Sequence, residues 1–265
     1  MARLLRLELH LQLVDVGVGV LLETAVDDAL DGVVELLPGD GRDTVNSSID
    51  WALGANLERL SLTGSAAIAG SGNDLANTLY GNSNSAANLL SGGQGNDTYY
   101  AGVGDTIIEA LNAGSDSVYC YGDFTLQPNV ENLYLNVTSA ATLAGNELAN
   151  SLRGNAGNDL LSGLEGNDTL NGGLGADTLN GGVGNDLLSG AGGADRFVFD
   201  RSTGSDKVID FTRGEDLIQL SSAPGLAGFA DLDTNHDGIV QAGDDWVRMT
   251  GADLVLDIGG SQLQI

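Results

Sequence analysis

Ten Lys and Arg stand against 37 Asp and Glu in 265 residues, a formal charge of −27 that repels nucleic-acid phosphates and anionic membrane surfaces and favours cations as ligands. Forty glycines with only three prolines exclude a collagen and leave repetitive backbone turns as the use for so much glycine. A single cysteine, Cys120, excludes a disulfide framework, and no apolar run is long enough for a membrane-spanning helix.

In chain order, residues 1–26 come first. Leu7, Leu9, Leu11 and Leu13 alternate with polar residues, and Val14, Val16, Val18 and Val20 with small or acidic ones, the two-residue period of a strand. Glu8, His10, Gln12 and Asp15 interrupt what would otherwise be the apolar stretch of a secretory leader, and no small-residue cleavage site follows. A strand or cap, or an atypical start, is expected here, not a cleaved signal.

Residues 27–100 and 101–153 are expected to be two copies of one long repeat. "WALGANLERLSLTG" (51–64) matches "FTLQPNVENLYLNV" (124–137), and "GNDLANTLYGN" (72–82) matches "GNELANSLRGN" (145–155), both at an offset of 73 residues. Upstream, 31–45 reads against 105–118 with one inserted residue. Cys120 lies in the apolar run "SVYCYGDF", where a packed strand residue is expected.

Residues 154–198 carry a shorter period of nine: "GNAGNDLLS", "GLEGNDTLN", "GGLGADTLN", "GGVGNDLLS" and "GAGGADRFV" in tandem. The apolar eighth position falls at Leu161, Leu170, Leu179, Leu188 and Phe197, and the same phase runs back to Leu152 and Leu143. Nine residues are too few for a helix with its turn but suit a six-residue turn and a three-residue strand. Stacked in parallel, such strands form a solenoid with an internal apolar ladder. One apolar side chain per nine residues makes a thin core, so a further stabilising term is required.

The turn residues supply it. Glycines at the fourth position, Gly157, Gly166, Gly175, Gly184 and Gly193, bare backbone carbonyls. The sixth position adds Asp159, Asp168, Asp177, Asp186 and Asp195. Oxygen donors without nitrogen or sulfur suit a hard cation, and a flexible cage suits Ca2+ better than Mg2+. "GGQGNDTYY" (92–100) is a further full match with Asp97 as its carboxylate. At Asn77 and Asn150 the sixth position is an amide and the fourth glycine is gone; a weak site and a metal-free rung both remain open there.

These nonapeptides resemble the repeats-in-toxin (RTX) calcium-binding pattern G-G-x-G-x-D-x-U-x. The resemblance implies an all-β fold, a parallel β-roll or β-solenoid with several calcium ions in its turns, each ion held between one turn and the turn two repeats later. It pairs Asp159 with Asp177, Asp168 with Asp186 and Asp177 with Asp195. Residues 199–265 resemble the strand-rich segment that caps such rolls in secreted bacterial proteins. Within them "DTNHDGIVQAGD" follows a twelve-residue EF-hand loop: Asp233, Asn235 and Asp237 at the first, third and fifth places, Ile239 offering a carbonyl, Gln241 a water-mediated contact, and Asp244 in place of the usual Glu. The flanks do not read as two long helices, so the loop is EF-hand-like only.

No catalytic residues are expected. The two histidines, His10 and His236, belong to no H-E-x-x-H, and no G-x-S-x-G is present. The resemblance implies a non-enzymatic calcium-binding module, structural, adhesive or accessory, that is exported by a type I system without a cleaved signal and folds on calcium outside the cell. The competing reading is the non-catalytic C-terminal portion of a secreted lipase, metalloprotease or alginate epimerase. A polysaccharide or cell-surface glycan is a candidate partner by analogy with epimerase accessory modules.

Overall fold

The computed structural model describes residues 23–26, 42–199, 204–220, 247–250, 253–257 and 261–264. Among these every regular element is a strand. The chain divides into two units between Gly114 and Ser115, and the strand pairing within each is that of a parallel β-solenoid.

In the first unit β1 (Glu23–Val26), β2 (Thr44–Ser47), β4 (Arg59–Leu62), β6 (Thr78–Tyr80) and β8 (Thr98–Ala101) form one sheet, while β3 (Trp51–Ala52), β5 (Ala69–Ser71), β7 (Leu89–Ser91) and β9 (Thr106–Ile107) form another. In the second unit one sheet holds β10 (Ser117–Cys120), β12 (Asn132–Leu135), β14 (Ser151–Arg153), β16 (Thr169–Leu174), β18 (Leu187–Gly192) and β20 (Gly204–Val208). The other holds β11 (Phe124–Thr125), β13 (Thr142–Ala144), β15 (Leu160–Glu165), β17 (Thr178–Val183), β19 (Arg196–Phe199) and β21 (Leu217–Leu220). The 73-residue repeat is visible as geometry: β2 to β6 recur as β10 to β14 at that offset, strand for strand.

Consecutive strands go to opposite sheets because the turn between them reverses the chain. Two nonapeptides therefore make one coil, and residues 18 apart become neighbours: Leu161 pairs with Leu179 and Leu170 with Leu188. The inward positions build two ladders, Leu133, Leu152, Leu170, Leu188 and Val208 on one side and Leu143, Leu161, Leu179 and Phe197 on the other, all buried. In the first unit Val45, Leu60, Leu79 and Tyr99 do the same work. Outward positions stack too: Tyr80 on Tyr100 with ring centroids 4.8 Å apart, and Tyr119 on Tyr134 at 5.1 Å. Cys120 is buried on β10, and desolvation pushes its thiol up to about 11; it is a packed strand residue.

Strand length departs from expectation. The three-residue strand holds for β5 to β7 and for β13 and β14, but β15 to β18 are six residues long. The ladder there continues into the first three residues of the next nonapeptide, pairing Leu164 with Gly182 and Gly173 with Ala191. The turn backbones of successive coils lie close enough to hydrogen-bond because little side chain stands between them.

β20 and β21 carry the parallel pairing past residue 198. Beyond them β24 (Ser261–Gln264) lies parallel to β20, followed by β23 (Asp253–Asp257) and β22 (Val247–Thr250) in antiparallel order. These backbone strands extend the sheet beyond β20. The EF-hand-like loop, with Asp233, Asn235, Asp237, Ile239, Gln241 and Asp244, lies outside the described residues, as does the alternating stretch at 1–22.

Candidate metal centre

Each turn of the tandem repeats is shaped by its second and fourth positions. At the second, Gly173 and Gly182 have φ of 110° and 99°, and Leu164 and Ala191 are driven into the same left-handed region at 79° and 68°. At the fourth, Gly166, Gly175, Gly184 and Gly193 lie between 116° and 145°, which only glycine adopts without strain. Gly157 alone of the five keeps an ordinary φ. The turns stack by backbone hydrogen bonds: Gly157, Gly166 and Gly175 donate N–H to the carbonyls of Leu174, Val183 and Gly192 at 2.8, 2.9 and 2.8 Å.

The sixth-position aspartates point inward and are 1–2% exposed. One oxygen of each is held by backbone: Oδ1 of Asp177, Asp186 and Asp195 accepts the N–H of Asp159, Asp168 and Asp177 at 2.7, 2.8 and 2.9 Å. Upstream, Asp159 and Asp168 accept from Ala141 and Asn150 at 2.9 and 2.7 Å. Asp159, Asp177 and Asp195 thus line one edge, and Asp168 and Asp186 the other. Fifth-position asparagines run a parallel ladder outside, with Asn158 and Asn167 accepting from the N–H of Ala176 and Asn185 at 2.8 Å each.

The second oxygen of Asp168, Asp177, Asp186 and Asp195 is buried and makes no hydrogen bond among the described residues. It faces the bare α-carbon of the first-position glycine. A Cβ at Gly163, Gly172, Gly181 or Gly190 would fall within 3.0 Å of that oxygen. A carboxylate oxygen kept from water and from every donor is costly. Burial accordingly pushes Asp168 up to about 7 and Asp177 up to about 6, and raises Asp186 and Asp195 as well. Four such oxygens, beside glycine-bared carbonyls and without nitrogen or sulfur donors, fit a hard divalent cation. Asp159 is the exception, its Oδ2 accepting the Asn155 N–H at 3.3 Å.

Asp97 occupies the equivalent place in the first unit. It is 1% exposed and accepts the Asn77 N–H at 2.7 Å, and Gly93 and Gly95 have φ of 102° and 108°. The adjacent Tyr99 hydroxyl donates to the buried Glu109 carboxylate.

Sequence reading missed two members of the ladder. Asp206 accepts the N–H of Asp186 at 3.1 Å, and Asp216 accepts that of Asp195 at 2.9 Å, so both edges extend by one rung. The signal was present: Gly204, Asp206 and Val208, and Gly214, Asp216 and Ile218, keep the fourth, sixth and eighth positions.

A family model of the RTX calcium-binding nonapeptide repeat, in four copies, matches residues 68–108, 144–179 and 171–201. No curated protein matches the chain. The matched segments are the coils whose turns carry the buried carboxylates, and these coils are RTX calcium-binding nonapeptide repeats, which bind several calcium ions.

Proposed function

We propose that this β-roll is a non-catalytic module that is exported unfolded and folds on meeting calcium outside the cell, in a structural, adhesive or accessory role. One observation carries the reading: the four buried, unpartnered carboxylate oxygens of Asp168, Asp177, Asp186 and Asp195. A compact apo state must hold these charges in a chain of net charge −27, with a thin core to offset their repulsion. A ligand that binds only the folded turns converts its binding free energy into folding free energy. Cytoplasmic calcium is too scarce to do so and extracellular calcium is not, which makes the crossing itself the trigger. Among the described residues Asp97, Asp159 and the fourth-position glycines are the remaining ligand candidates, and a type I exporter suits an expanded chain.

Far-UV circular dichroism and hydrodynamic radius, measured in chelator and then in millimolar calcium, test this. The expected outcome is an expanded chain that gains strand signal and contracts on calcium. An equally compact β-spectrum after exhaustive chelation would sink it.

A further inference from the structure

At two turns, 73 residues apart, asparagine stands where the nonapeptide has aspartate and reaches the coil upstream, and the structure assigns the cation's place there to the asparagine amides. In the second unit Asn146 and Asn150 stand where the tandem repeats have the second glycine and the sixth aspartate. The Asn146 amide nitrogen donates to the carbonyls of Gln127 and Val130, both at 2.7 Å, and that of Asn150 to the carbonyls of Val130 and Glu131 at 3.0 and 3.3 Å. The three acceptor carbonyls, Val130 serving both amides, belong to the turn one coil upstream. The Asn150 side-chain oxygen turns the other way and accepts the Asn146 N–H at 2.7 Å.

The first unit repeats the arrangement. Asn73 donates to Gly54 and Leu57 carbonyls at 2.7 and 2.8 Å, Asn77 to Leu57 and Glu58 carbonyls at 3.0 and 3.4 Å, and the Asn77 oxygen accepts the Asn73 N–H at 2.7 Å. Asn77 and Asn150 are 1% and 3% exposed. Two copies, 73 residues apart, therefore solve the same problem in the same way.

The chemistry differs from the aspartate turns in one atom per side chain. A carboxylate oxygen has no proton to offer a neighbouring carbonyl, so the cluster of oxygens needs a cation between them. An amide carries its own donors and satisfies the carbonyls directly. These asparagines are specificity determinants: they fix which turns take an ion and which close without one. Their rungs are metal-independent, and in the second unit that rung abuts the tandem repeats. Asn150 N–H donates to Asp168, and β14 pairs with β16. The calcium-dependent coils can thus grow in register on an edge that exists before any ion binds.

The inference rests on the calcium-coupled reading of the tandem repeats, and hydrogen–deuterium exchange on the full chain separates the two. In chelator, peptides covering 69–80 and 142–153 are expected to keep their protection while those covering 160–192 lose it. Loss of protection at the asparagine rungs to the same extent as the tandem coils overturns the inference. Retention by the tandem coils overturns the calcium-coupled reading instead. The Asn150→Asp variant decides the first point independently of the second. It replaces the donor with a carboxylate facing Val130 and Glu131 carbonyls, so protection over 130–153 should be lost in chelator and regained in calcium. Unchanged protection of this variant in chelator contradicts the inference.

Discussion

Replacing Gly184 with alanine is expected to abolish ordered packing of the turn that contains it. Its φ of 145° is closed to a side chain, and an added Cβ would fall within 3.0 Å of the Gly166 carbonyl carbon and oxygen. Those atoms are backbone of the turn 18 residues upstream, so no side chain can move aside. Relief would require the two turns to separate, and that separation opens the space between the carboxylates of Asp168 and Asp186. Strain and lost coordination together should cost about 3 kcal/mol or more, roughly a hundredfold in the calcium-dependent folding equilibrium. A calcium titration of folding reads this as a large upward shift of the midpoint. The control is Gly122→Ala in the same unit. Nothing lies within 4 Å of an added Cβ there, and the change should stay within about 0.5 kcal/mol.

The second large effect is a pH dependence that runs opposite to ordinary acid denaturation. In the metal-free protein burial raises Asp168 to about 7 and Asp177 to about 6 from 3.8. Groups with raised folded-state values contribute stability below the unfolded value, and that stability is lost as pH rises through the folded value. Chelated protein should therefore be most folded near pH 4 and lose structure progressively between pH 4 and 7. At about 1.4 kcal/mol per pKa unit, Asp168 alone accounts for about 4 kcal/mol across that window. Asp186 and Asp195 shift in the same direction. With calcium present the sign reverses, because protons and the ion compete for the same oxygens, and the calcium midpoint should rise as pH falls. Far-UV circular dichroism in chelator at pH 4.5 and 7.5 checks the first half; less strand signal at pH 4.5 than at pH 7.5 contradicts it.

Much of the architecture was legible in the sequence, and the reasons are local. A period of nine with one apolar residue leaves no room for a helix, and the 73-residue repeat reappears as identical strand spacings. What periodicity could not give was the reach of the ladder into the turns, because that depends on how closely two backbones approach once side chains are absent. Leu164 and Ala191 show the limit from the other side: their positive φ is imposed by the stack on residues that do not prefer it. Asp206 and Asp216 escaped because the first two positions of their units are not glycine and their spacing from the previous rung is 20 and 21 residues, which breaks the period without breaking the register. The asparagines were legible as departures from the aspartate pattern. Their role was not, since it rests on which carbonyls the amide reaches one coil away.

The central claim is that ion binding and folding of the tandem coils are one event. It is tested most directly by following bound calcium, through equilibrium dialysis, and strand content, through far-UV circular dichroism, on the same sample across a calcium titration. The two curves are expected to superimpose and rise together over a narrow range of free calcium. Strand content already at its plateau before calcium binds, or calcium taken up with no change in strand content, would contradict the account.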